Sequence, residues 1–258
     1  MLPNFQLTVI GNGDAYDSQR TNASILVQEN GYQLLVDCGP TVPSQLFSQI
    51  QVDDLDVIYI THCHPDHCLG LTSLLNWMDS YRRKRPLIII AQQAQWVILE
   101  PLIAFSHWPQ ARLGFDIIRQ DSEQLQKIGP WQAMTAMTQH SVRNLSLHLI
   151  SQSGDRLFYS GDGQISSEGE QLALQSDWVF IECETLESHY SHGSWHSIQH
   201  LLQKNQLSKS DCQWRLYHID PNYRQELSQL IRPYDFIQLA ERGEQLIAPI
   251  RSLKIKSI

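Results

Sequence analysis

The sequence predicts an α/β fold of four layers, in which two β-sheets face each other and helices cover both outer surfaces. Three observations carry this expectation. Apolar runs bounded by Gly, Asn and Asp read as strands, and they outnumber helical patterns within each half of the chain. Each half nonetheless ends in alternating helix and strand units, which stack helices onto sheets. No Gly/Ser-rich or Pro-rich linker and no short repeat interrupts the 258 residues, so a single domain spanning 1–258 is expected.

Taken in order, strands are predicted at Gln6–Ile10, Ser24–Gln28, Gln33–Val36 and Val57–Ile60, each an apolar run stopped by turn-forming residues. Helical patterns fall at Pro43–Ile50 and Cys68–Arg83. Leu87–Ala91 reads as a buried strand leading into a helix through Gln92–Leu102. The pattern then returns to strands at Phe115–Arg119, Gln132–Thr138, Leu145–Ile150 and Arg156–Tyr159. A helix at Glu168–Gln175, a strand at Trp178–Glu182, a helix starting near Ser194, a strand at Trp214–Tyr217 and a short helix after Pro221 complete the chain.

Hydrophobic residues make up 42% of the sequence, enough for a sizeable core. The formal charge of −8 argues against broad capture of nucleic acid, which depends on many Lys and Arg contacts to phosphate, so no extended nucleic-acid surface is expected. The one dense basic run, Arg82-Arg83-Lys84-Arg85, reads as the solvated last turn of a helix, where cations complement the dipole. No secretory signal or membrane-length apolar run is visible, which predicts a soluble, cytoplasmic protein with no membrane partner. The odd set of five cysteines, Cys38, Cys63, Cys68, Cys183 and Cys212, lacks a Cys-x-x-Cys pair and fits reduced thiols.

The densest chemistry lies in Tyr59-Ile60-Thr61-His62-Cys63-His64-Pro65-Asp66-His67-Cys68-Leu69-Gly70, where three imidazoles and a carboxylate follow an apolar strand within six residues. Such nitrogen and oxygen donors suit zinc or a similar ion. On extended backbone His62 and His64 project to one side and can serve one ion; the bend that follows lets Asp66 and His67 reach a second. The competing reading is a His-rich surface loop that binds metal adventitiously. Cys63 and Cys68 flank these donors and are expected to be packed thiols rather than ligands. Six residues cannot close two sites, and further donors stand after apolar runs at Gln139-His140-Ser141, Ser160-Gly161-Asp162-Gly163 and Tyr217-His218-Ile219-Asp220.

These motifs, in this order from about Leu7 to Tyr223, resemble the metallo-β-lactamase superfamily of metal-dependent hydrolases. Leu35-Val36-Asp37-Cys38-Gly39 is similar to its early strand-end Asp motif, Thr61 to Gly70 to its signature loop, and His140, Asp162 and His218 to its later ligand positions. Arg20-Thr21-Asn22-Ala23-Ser24, Ser160-Gly161-Asp162 and His192-Gly193-Ser194 resemble the ribonuclease Z and small phosphodiesterase branch, with Ser194 a helix N-cap. The acidic charge, the lack of a long Gly/Pro-rich insertion and Asp220 in place of the usual serine depart from ribonuclease Z and speak against transfer-RNA processing.

The resemblance implies the αββα sandwich of the metallo-β-lactamase type and two divalent metal ions, zinc first, with manganese or iron as alternatives. One site would use His62, His64 and His140, the other Asp66, His67 and His218, with Asp162 bridging. Two cations roughly 3.5–4 Å apart can hold and activate a hydroxide. Asp66 would also orient that hydroxide, and Asp37 would steady a ligand or the loop, unless it merely forms a turn. The resemblance makes His192 the residue that contacts the scissile phosphate or protonates the leaving group, with His196 as its rival one turn later. His200 is expected to be structural, and His107, His148 and His189 to be surface or internally satisfied histidines.

The expected activity is therefore hydrolysis of a phosphodiester in a small cyclic or nucleotide-like substrate or an RNA end. The alternative is a thioester or lactone hydrolase of the same fold, because the same hydroxide attacks carbonyl carbon. A non-hydrolytic metal protein is the third reading. A homodimer is compatible with the sequence.

Overall fold

The computed structural model describes residues 5–207 and 212–248. In chain order the first part contains β1 (Gln6–Gly11), β2 (Ser24–Glu29), β3 (Tyr32–Val36), α1 (Val42–Leu46), β4 (Val57–Tyr59), α2 (Pro65–Cys68), α3 (Gly70–Ser80), β5 (Leu87–Ala91), α4 (Trp96–Ser106) and β6 (Ile117–Asp121). The second contains β7 (Lys127–Ile128), β8 (Trp131–Gln139), β9 (Asn144–Ile150), β10 (Arg156–Tyr159), β11 (Gln164–Ile165), α5 (Ser167–Leu174), β12 (Trp178–Glu182), α6 (Trp195–Lys204), β13 (Gln213–Tyr217), α7 (Arg224–Leu230), β14 (Ile237–Leu239) and β15 (Gln245–Ile247).

Among the described residues these strands form two sheets, ordered β15-β1-β2-β3-β4-β5-β6 and β11-β8-β9-β10-β12-β13-β14, with β7 paired to β8. Each sheet is antiparallel where hairpins connect its strands and parallel where helices cross over, at β3 to β6 and β10 to β14. The last strand returns to the first sheet, where Gln6 pairs with Ile247.

Strand alternation sorts the apolar side chains into layers. Leu34, Val36, Val57, Tyr59 and Ile90 from the first sheet meet Leu157, Tyr159, Trp178, Phe180 and Tyr217 from the second in one core between the sheets. Their neighbours Leu35, Ile58 and Ile89 point the other way, onto Leu46 of α1, Leu71, Leu74 and Met78 of α3 and Leu99 of α4. Val179, Ile181 and Leu216 likewise face α5, α6 and α7. The four layers predicted from the sequence are therefore present. Leu74 is fully buried in its layer, and truncating it to alanine costs about 2–5 kcal/mol.

Three helices differ from expectation, the one predicted through Gln92–Leu102 running instead over Trp96–Ser106. The helix predicted over Cys68–Arg83 is two: Pro65 opens α2 directly after the extended His64, and α3 stops at Ser80 before Arg82 takes a left-handed φ of 64°. The helix predicted over Pro43–Ile50 stops at Leu46. The basic run is also corrected. Arg83 is not solvated but 1% exposed, its guanidinium donating to the carbonyls of Val52, Leu55, Arg85 and Pro86, and Arg85 reaches Asp56. The run fastens the α3–β5 turn to the loop before β4.

Candidate metal centre

The chemically active side chains leave strand ends on one rim of the two sheets. His62 and His64 follow β4, Asp66 and His67 sit in α2, His140 follows β8, Asp162 follows β10 and His218 follows β13. His64 is extended, with φ −78° and ψ 154°, before Pro65 starts the helical turn. That bend divides the loop as the residue spacing predicts. Asp162 lies between Gly161 and Gly163, at φ 63° and 96°. A Cβ at Gly161 would meet the Asn144 side chain at 2.2 Å, and one at Gly163 would meet the Gln139 carbonyl at 2.5 Å, so only glycine lets this turn press Asp162 into the cluster.

Two groups of donors result, and each could hold a metal ion: His62, His64, His140 and Asp162, and Asp66, His67, Asp162 and His218. In the first, His64 Nδ1 lies 3.0 Å from both His62 Nε2 and His140 Nε2. Asp162 Oδ2 is 3.8 Å from His62 Nε2 and 4.0 Å from His140 Nε2. In the second, the same oxygen is 3.2 Å from His67 Nε2 and 3.4 Å from His218 Nε2, while Asp66 Oδ2 is 3.2 Å and 3.1 Å from those nitrogens. Donors on a tetrahedral zinc with bonds of about 2.0–2.2 Å stand roughly 3.3–3.6 Å apart, so the spacing fits.

Partners behind the imidazoles fix their orientation. His67 Nδ1 donates to Asp37 Oδ2 at 2.9 Å, which aims Nε2 into the cluster, where it is buried without a hydrogen-bond partner. His140 Nδ1 donates to the Ser191 carbonyl at 2.5 Å, and His62 Nδ1 meets Thr61 Oγ1 at 3.1 Å. Burial, together with the charge on neighbouring imidazoles, pushes His62 well below its ordinary pKa; burial also lowers His64 and His140. All three are thus held neutral, the form that ligates. Burial works against the charged forms of His67 and His218 too, but the neighbouring carboxylates together more than offset it, Asp162 with Asp37 at His67 and Asp162 with Asp66 and Glu182 at His218, leaving His67 raised and His218 pushed up to about 10.

His192, in the loop before α6, faces this centre. Its ring lies 4.9 Å from that of His140, and its Nδ1 donates to Glu182 Oε1 at 2.7 Å and contacts Glu184. Burial disfavours its charged form, yet the hydrogen bonds to these two carboxylates push it up to about 10. Glu182 also accepts from the Gly163 and Gly193 amides through Oε2. His196 and His200 are exposed and line a different cavity, against Glu170 and Ile165. Exposure of His200 departs from the structural role expected of it.

A cavity of about 220 Å³ opens over the donors, lined by Asp14, Tyr16, His64, Asp66, Glu184 and His192 among others. No lysine or arginine is among its described lining residues. Asp14, Asp66, Asp162 and Glu184 would repel a phosphate; divalent cations reverse that field. Cys63 and Cys68 belong to neither donor group. Reading the sequence missed Glu182 and Glu184, although Glu182 ends an apolar strand by the same rule that located Asp162.

Fold and donor set define a metal-dependent hydrolase of the metallo-β-lactamase fold. The chain belongs to the anti-Pycsar protein Apyc1 family, whose description matches residues 5–246. It is 26% identical over 273 aligned residues to the anti-Pycsar protein Apyc1 of Bacillus phage vB_BveM-Goe7, covering 96% of this chain and 100% of that one. A ribonuclease Z from Archaeoglobus fulgidus is 30% identical over 151 residues, covering 57% of this chain and 48% of the relative. The fold is shared with the short form of human tRNase Z, with a TM-score of 0.75 at 18% identity over 95% of this chain and 100% of that one.

Proposed function

We propose that the chain hydrolyses the phosphodiester of a small cyclic or linear nucleotide with the aid of two divalent cations, zinc first among them. The carrying observation is Asp162, whose Oδ2 lies within 4.0 Å of a ligand nitrogen on His62, His140, His67 and His218, so one carboxylate can serve both donor groups. When bound, divalent cations lower the pKa of water and stabilise charge on phosphoryl oxygens.

The chain's own residues do the rest. His62, His64 and His140 hold one position, and Asp66, His67 and His218 the other. Asp37 keeps His67 in the ligating tautomer. Asp66 lines the cavity and orients the attacking water. His192 enters protonated, because Glu182 and Glu184 stabilise its charge. With Nδ1 engaged by these carboxylates, Nε2 carries the proton to the leaving oxygen as the P–O bond breaks. A proton donor of this kind helps an alkoxide leaving group far more than a thiolate, which favours a phosphodiester over a thioester.

Metal analysis followed by a screen of cyclic nucleotides, bis-aryl phosphates and acyl thioesters tests the proposal. Cleavage of the diesters is expected. Thioester turnover with every diester left intact would overturn it.

Two further readings go with this one. The thiols of Cys38, Cys63, Cys68 and Cys183, none of them in a disulfide, support a cytoplasmic setting. Val97, Pro101, Phe105 and Trp108 form an exposed apolar stripe along α4 and just beyond it, with Val97, Phe105 and Trp108 each at least 70% exposed. A stripe spaced by one helical turn can pair with its own copy about a two-fold axis, which supports a homodimer. Among the described residues no helix is long and apolar enough to cross a membrane.

A further inference from the structure

We propose that Tyr16 is the platform on which the substrate's nucleobase stacks, a specificity element that rests on the phosphodiesterase reading above. Its side chain is 94% exposed, yet it lines the same cavity as His64, Asp66, Asp162 and His218. Among the described residues no aromatic ring is paired with it, unlike Tyr190, which is also exposed but lies 4.7 Å from the ring of His189. One full ring face is therefore free beside the metal ligands.

The loop that carries it is built to hold it there. Asp14 Oδ1 accepts the Tyr16 amide at 2.9 Å. Asp17 Oδ1 accepts the Gln19 amide at 2.8 Å and the Arg20 amide at 3.1 Å, and the Arg20 guanidinium pairs with the same carboxylate at 3.2 Å. Asn22 donates to the Asp14 carbonyl at 3.3 Å and accepts from Thr41 Oγ1 at 2.6 Å. Gly13 bridges to Ile219, the residue after His218. The backbone that carries the ring is thus tied to the segment bearing a ligand of the candidate centre, so the ring is presented at the cavity mouth before substrate arrives.

The other walls explain why a ring is needed. Asp14, His64, Asp66, Asp162, Glu184, His192 and His218 offer charge and imidazole groups suited to metal, phosphate and proton transfer, and the apolar walls Ala15 and Pro65 have no aromatic face for a base. Stacking supplies it without reading base edges. Each stacked base contributes about 1–3 kcal/mol, equivalent to roughly 5- to 150-fold in affinity.

The test compares the metal-loaded wild type with Tyr16→Ala, Tyr16→Phe and, as a control at the far end of α3, Tyr81→Ala. Substrates are a 3′,5′-cyclic nucleotide and the matching base-free cyclic ribose phosphate. Tyr16→Ala should raise KM for the nucleotide about 10-fold with kcat within about 2-fold, and leave the base-free ester unchanged. Tyr16→Phe and Tyr81→Ala should resemble wild type. An equal change on both substrates, or none on either, overturns the stacking role while leaving the phosphodiesterase reading intact. If wild type cleaves neither ester, that reading falls, and Tyr16→Trp then tests stacking alone: its fluorescence should be quenched by adenosine monophosphate and not by ribose phosphate, and no difference would refute it.

Discussion

Asp37 and His67 are locked together beneath the candidate metal centre: Asp37 Oδ2 accepts the His67 Nδ1 proton at 2.9 Å while Oδ1 accepts the Thr61 amide at 2.8 Å. Both residues are fully buried, and Asp37 adopts φ 59°, a conformation uncommon outside glycine. The carboxylate thus fixes the ring of one candidate ligand and the backbone of the loop that carries His62, His64 and Asp66. Asp37→Asn is expected to weaken zinc binding about 10- to 100-fold, the usual effect of removing such a support, with activity partly restored by excess metal. Zinc titration by calorimetry checks this, and an unchanged affinity would reduce Asp37 to a turn former.

Asp162→Ala removes the oxygen common to both donor groups and leaves every histidine in place. Hydrolysis should fall by orders of magnitude, metal content should drop below two equivalents, and the circular dichroism spectrum should stay native-like. Near-native turnover at full metal content would show that the bridge lies elsewhere.

Metal removal should abolish binding as well as turnover, because the cavity then faces a phosphate with four carboxylates, Asp14, Asp66, Asp162 and Glu184, and with no lysine or arginine among its described lining residues. Nucleoside monophosphate binding, measured by calorimetry before and after chelation, is expected to disappear in the stripped protein and return on adding zinc. Tight binding to the stripped protein would point to a cationic subsite outside the cavity.

His192→Ala should lower phosphodiester turnover about 10²-fold with unchanged metal content, the scale of general acid help. His196→Ala should change it little, since that side chain lines another cavity. Equal losses in the two variants would contradict the assignment.

His148 makes stability depend on pH. It is 1% exposed in β9, neither ring nitrogen has a hydrogen-bond partner, and burial, aided by the nearby Arg156 charge, pushes it down to about 4. The folded state therefore resists protonation that the unfolded chain accepts near pH 6.5. Stability is full above that value and declines as pH falls toward 4, by about 3 kcal/mol from this residue. His148→Leu should narrow that acid loss by a similar amount in urea melts at pH 7 and pH 4.5, and parallel losses would exclude His148 as the cause.

The fold was legible where burial dictates composition. Val57–Tyr59, Leu87–Ala91 and Trp178–Glu182 are apolar on both faces because they lie between a helix layer and the inter-sheet core, and such runs announce themselves. Lys127–Ile128, Gln164–Ile165, Ile237–Leu239 and Gln245–Ile247 went unread because two or three residues at a sheet margin carry no periodicity. The candidate donors were legible because each follows a strong strand. Arg83 misled because a charged run looks solvated unless the carbonyls of Val52 and Leu55, about thirty residues earlier in the chain, are known to converge on it, and no local pattern records that.

The return of β15 to pair with β1 sets a timetable for synthesis. At about 5–20 residues per second, β1 leaves the ribosome on the order of 10–50 s before Gln245–Ile247 can join it. For that interval one margin of the first sheet has unsatisfied amides and carbonyls, the feature that recruits stray strands from other nascent chains. Maturation of this protein is thus a race between synthesis of the segment from β1 to β15 and intermolecular strand capture, and slow decoding of the codons just before β15 would tilt the race toward aggregation.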